Sequence, residues 1–108
     1  MALYDLNDSV RLGNPTTAPE AAAFATILGT PTDPTAVTLT ILRPDRTILV
    51  YGWPSAGADG TLVRESAGRF YTELVLNQAG VWRYRIEGTG AVVAAAAGTL
   101  TVARSTVI

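Results

Sequence analysis

Asp5, Asp8, Asp33, Asp45, Asp59, Glu65 and Glu73 are the residues with which this chain could do acid–base work, because it contains no histidine and no cysteine. Two carboxylates held apart in acidity can act as a general acid and a general base without an imidazole. Most of these, however, sit beside turn formers. Asp45 follows Pro44 and Asp59 precedes Gly60, positions where Asp is chosen for hydrogen bonds from its side chain to the turn backbone. "DLND" at 5–8 sets three oxygen-bearing side chains within four residues and could contribute to a calcium site, but it lacks the turn glycine and distal Glu of an EF-hand loop. It reads as a solvated N-terminal loop. The serines, at 9, 55, 66 and 105, have no His or Lys to activate them and no G-x-S-x-G elbow. The chain is thus expected to be no enzyme and to carry no metal and no cofactor.

The aromatic residues offer a second chemistry. Trp82 with Tyr84, extended by Tyr51 and Trp53, could stack a sugar or a base. Against this, Trp82 is in phase with Ile86 on the apolar face of "VWRYRIE", which predicts a core ring, while Trp53 stands before Pro54 in a Gly-rich connection where it could be exposed.

The elements that must hold these residues follow from alternation. In "AVTLTIL" (36–42) Val37, Leu39 and Ile41 alternate with threonines, the period of a half-buried strand. "RPDRT" then supplies a turn and "ILVYGW" resumes, predicting a hairpin. Phe70, Thr72, Leu74 and Leu76 share one face of "RFYTELVL"; Trp82, Tyr84 and Ile86 oppose Arg83, Arg85 and Glu87; Leu100 and Val102 are in phase in "GTLTVA". Weaker strands are expected at 8–12, with Val10 and Leu12 inward, and at 22–28, on either side of "GNPTTAPE", whose prolines interrupt any ladder. "AVVAAAAG" (91–98) is open to two readings: alanines favour helix, but the run is too short to hold a helix unaided, and Val92 and Val93 favour strand.

A chain of 108 residues and 11.3 kDa suits one domain with one core. About seven to eight short strands at regular spacing predict an all-β, immunoglobulin-like antiparallel β-sandwich. Its predicted core is Val37, Leu39, Ile41, Phe70, Leu74, Trp82, Tyr84, Ile86, Leu100 and Val102, with residues 1–7 an N-terminal arm and 104–108 a C-terminal tail. The formal charge of −1 and the scattered arginines provide no basic field, so nucleic acid is not expected as a partner. Asp5 and Asp8 interrupt the region where a secretory signal needs an apolar core, and no apolar run approaches the roughly 20 residues of a membrane span. Synthesis in the cytoplasm and no membrane partner are expected.

"QAGVWRYR" (78–85) resembles the D-A-G-x-Y-x-C segment of immunoglobulin domains, with Trp82 at the tyrosine-corner position and Tyr84 where the disulfide cysteine would stand. More of the chain is similar to a group of small structural proteins of tailed bacteriophages and prophages. The most specific elements are D-P-T-x-V-T-L-T at 33–40, the P-D turn at 44–45 and A-G-x-W-R-Y-R-x-E-G-T-G at 79–90. The chain departs from that pattern at "GNPTTAPEAA", an apparent insertion, and at Ala94–Ala97, where such proteins commonly carry charge. The resemblance implies a non-enzymatic virion component made in the host cytoplasm. A capsid decoration protein bound to the major capsid protein ranks first, then a head-tail connector or tail component, and copies of the chain could associate in the particle. A cell-surface adhesion or carbohydrate-binding module is the rival from another class.

Binding is expected at strand edges, the alanine segment and the tail rather than in a pocket. If 94–97 is a strand, some methyls of Ala94, Ala95, Ala96 and Ala97 must point outward, giving a flat surface that costs little side-chain entropy to cover. The tail ends in the apolar Val107 and Ile108, and an unpaired edge nearby would accept an added strand.

Overall fold

The structure, a computed structural model, describes residues 2–14, 31–90 and 94–103. The strand expected at 22–28 and the tail with Val107 and Ile108 lie outside the described residues. Among those described the protein is all-β: β1 (Ala2–Asp5), β2 (Ser9–Gly13), β3 (Ala36–Leu42), β4 (Ile48–Trp53), β5 (Gly60–Thr61), β6 (Val63–Ser66), β7 (Arg69–Val75), β8 (Gly80–Thr89) and β9 (Ala94–Ala103). They form a six-stranded sheet in the order β1-β9-β8-β3-β4-β5 and a three-stranded sheet in the order β2-β7-β6. This two-sheet arrangement is that of a β-sandwich.

Alternation decides which faces meet. From the larger sheet Val37, Leu39, Ile41, Trp82, Ile86, Leu100 and Val102 are buried, and from the smaller sheet and its flanks Leu12, Leu62, Phe70 and Leu76. Together these form one core cluster. Leu74 and Tyr84, expected inside, are half-buried and pack against it. Trp53 joins the layers, its ring tilted at 49° on Phe70 with centroids 4.7 Å apart.

Two features were not apparent in the sequence. Residues 2–5, read as part of an arm, run as β1 parallel to β9, from Ala2 opposite Leu100 to Asp5 opposite Ala103. The chain then crosses to the smaller sheet through Asn7, left-handed at φ 71°. The Asn7 N–H donates to the Leu76 carbonyl (2.7 Å) and the Leu76 N–H to the Asp8 carbonyl (2.8 Å), fastening the crossing. Asn tolerates this conformation better than other non-glycine residues.

The second feature is Asn14, 1% exposed. Its side-chain amide donates to the Gly68 carbonyl (2.9 Å) and its Oδ1 accepts from the Phe70 N–H (2.8 Å). A buried amide is tolerated when its groups are partnered, as here. It ties the end of β2 to the β6–β7 turn.

The alanine segment is strand, not helix. β9 runs ten residues from Ala94 to Ala103, antiparallel to β8 from Gly88 opposite Ala94 to Gly80 opposite Val102. Pairing with a strongly alternating neighbour overrides the helix propensity of alanine.

Candidate interaction surface

Asp33, Asp45 and Asp59, three of the candidate carboxylates, hold turn and loop backbone. Asp45 Oδ1 accepts from the Thr47 N–H (3.0 Å) and hydroxyl, its Oδ2 accepts from Gln78 Nε2 (2.9 Å), and its own N–H donates to Gln78 Oε1 (3.1 Å). The Thr47 bonds, helped by Gln78 and the nearby Arg43 charge, hold its pKa below the ordinary value against a small opposing desolvation. Asp33 accepts from the Gly68 N–H (2.8 Å) and pairs with Arg64 (2.7 Å). Burial raises its pKa, but the Gly68 bond and Arg64 together outweigh it and the net shift is downward. Asp59 Oδ2 accepts from the Val50 N–H (2.7 Å), and Glu73 lies 3.3 Å from Arg11. Asp8 is exposed in the β1–β2 turn. Among the described residues no group of three or more His, Cys, Asp or Glu could hold a metal ion.

Among the described residues, Trp82, Tyr84, Tyr51 and Trp53 form no exposed aromatic platform. Trp82 is fully buried and its Nε1–H donates to the Gln78 carbonyl at 3.0 Å. Tyr51 and Trp53 stand opposite Leu39 and Val37 on the inner face and pack on the core. Tyr84 faces Gly98 across the β8–β9 ladder. A Cβ at Gly98 would come within 2.5 Å of the Tyr84 hydroxyl, so glycine is what lets that ring lie across β9.

What remains is surface. Ala95, Ala96 and Ala97 are exposed. By the alternation that buries Leu100 and Val102, Ala96 faces inward, yet it stands open, while Ala95 and Ala97 lie on the outer face. Ala97, Gly98 and Thr99 line a shallow open groove of about 330 Å³ with Arg83 and Tyr84. β9 is not an edge strand throughout: β1 covers it from Leu100 to Ala103 only. Along Ala94–Thr99 the side facing away from β8 has no strand paired to it among the described residues. Among the described residues, an edge therefore runs along the first half of an otherwise internal strand.

The sequence reading did not single out the charges beside this edge. Arg85 and Glu87 project from the outer face of β8 opposite Ala97 and Ala95, and pair with each other at 2.9 Å. Their spacing of two on a strand was the available signal. No helix of the described residues is long and apolar enough to cross a membrane. Comparison with family models, with curated proteins and with solved structures finds no match to this chain.

Proposed function

We propose that this protein is a non-enzymatic structural component of a tailed-phage virion, built on an immunoglobulin-like sandwich and serving as a capsid decoration protein. The observation that carries the reading is where the three most specific sequence elements lie. Pro44 packs against Gly80, where an added Cβ would come within 2.9 Å of the proline ring, and Asp45 exchanges two hydrogen bonds with Gln78. The P-D turn and the segment leading into A-G-x-W-R-Y-R thus form one corner. Asp33, which opens D-P-T-x-V-T-L-T, closes the β6–β7 turn through Gly68. Residues that carry the resemblance hold the framework, as expected of kinship in fold.

The strand order supports the immunoglobulin-like reading. Such sandwiches order one sheet A-B-E-D and the other with G, F and C adjacent, followed in variable types by C′. β2-β7-β6 takes the places of B-E-D, and β9-β8-β3-β4 those of G-F-C-C′. The Trp82 N–H bond to Gln78, four residues upstream, stands where a tyrosine-corner hydroxyl would bond back to the chain. A decoration role on the particle exterior fits a small domain of net charge −1, which packaged DNA would not attract. The exposed alanines supply a flat docking surface.

Immunogold electron microscopy of particles from an induced lysogen, with antibody against this chain, tests the reading. Label distributed over the head is expected. Label at the neck or tail would make the protein a connector or tail component, and unlabelled particles would exclude a virion role.

A further inference from the structure

We propose that two copies of this protein pair through the half of β9 that has no strand on the side away from β8 among the described residues, Ala94–Gly98 against Ala94–Gly98, antiparallel about a two-fold axis at Ala96. The inference does not depend on the virion reading. An unpaired strand edge presents a row of backbone donors and acceptors, and proteins usually blunt such edges with charge, proline or a bulge. Here the edge carries alanines, a glycine and a threonine, without a charged residue or a proline, and its ladder with β8 runs in unbroken register. Small side chains on both faces let another backbone approach at the ordinary spacing of about 4.8 Å.

Charge identifies the occupant as a second copy and fixes the register. With the axis at Ala96, Ala97 of one copy lies opposite Ala95 of the other. Arg85 stands beside Ala97 and Glu87 beside Ala95 on the outer face, so the row across the junction reads Arg85, Ala97, the second copy's Ala95, the second copy's Glu87. The symmetric row reads the reverse. Each copy's Arg85–Glu87 ion pair then meets the other copy's with opposite charges aligned in both rows, across three strand spacings of about 4.8 Å each, a separation that the long side chains shorten. Moving the axis to Ala95 or Ala97 would instead set Glu87 toward Glu87 or Arg85 toward Arg85. An interface in which each patch meets itself is what two-fold symmetry requires. The pairing stops before Leu100, where β1 takes over the edge, so it joins the two larger sheets without displacing any described strand.

The experiment is sedimentation equilibrium on the full chain and charge variants, paired with cysteine cross-linking. The parent is expected to dimerise, to twice the 11.3 kDa of one chain. Arg85→Glu and Glu87→Arg are each expected to weaken the dimer by about tenfold or more, and the double swap, which keeps the pair within each chain, to restore it. Thermal melts of the four proteins separate loss of pairing from loss of folding. Because the chain has no cysteine, Ala96→Cys introduces a single thiol at the axis; under mild oxidation it is expected to form a disulfide-linked dimer faster than Thr38→Cys, on the exposed outer face of β3. A parent that stays monomeric up to about 1 mM, a dimer indifferent to both charge reversals, or equal cross-linking of the two cysteine variants would each overturn the proposal.

Discussion

Trp82 does two things that mutation can separate. Its ring fills the centre of the core at 0% exposure, and its Nε1–H closes the corner on the Gln78 carbonyl. Trp82→Ala is expected to cost about 3–5 kcal/mol, from lost burial and the cavity left behind. In Trp82→Phe the bond to Gln78 goes while much of the ring volume stays, and the loss in chemical denaturation should be clearly smaller; equal losses would mean that packing contributes little. Asn14→Ala is expected to cost about 2–3 kcal/mol, because the Phe70 N–H and the Gly68 carbonyl lose their partners in a buried setting. A cost below about 1 kcal/mol would show that water replaces the amide there. Asp33 and Asp45 have folded-state pKa values below the ordinary 3.8. A depressed folded value means that the stabilisation is complete above the unfolded pKa and is lost as pH falls through the folded one. Melting temperature should therefore drop below about pH 4, and Asp45→Asn should flatten part of that drop. Superimposable profiles for the parent and Asp45→Asn would remove Asp45 from the account.

At the scale of elements, β9 shows where local and long-range physics part. Alternation located β3, β7 and β8, since a period of two with a buried face has one structural solution, and the turn before a β-branched and aromatic run located β4. Alanine has no such signature: with equal side chains at 94–97 neither face is marked, and only the ladder with β8 makes the segment a strand. The partner of β1 was equally hidden, because a parallel pairing between residues 2–5 and 100–103 leaves no trace in local pattern. Asn14 lies in "GNPTTAPE", where the prolines marked only an interruption of any ladder, and its burial depends on β6 and β7. Gly98 is the element's testable point. Gly98→Ala is expected to cost about 1–3 kcal/mol by forcing the Tyr84 ring aside, and close to nothing when Tyr84 is already Ala. Full additivity of the two changes would deny that the ring and the glycine are coupled.

On the scale of the whole molecule, the candidate site was legible only in outline. The alanine run could be named from sequence, but not that it would lie on the half of β9 with no strand on its far side among the described residues, or that Arg85 and Glu87 would stand across from Ala97 and Ala95. Composition narrowed the chemistry, since a chain without His or Cys has few ways to build an acid–base or thiolate site. The two sheets then assigned Asp33, Asp45 and Asp59 to turns. The central claim is that this fold is part of a particle. Its most direct measurement is quantitative mass spectrometry of gradient-purified particles from an induced lysogen, comparing the amount of this chain with that of the major capsid protein. A fixed ratio to the capsid protein, unchanged by a second gradient, is the predicted result; a chain found only in the soluble fraction would contradict it.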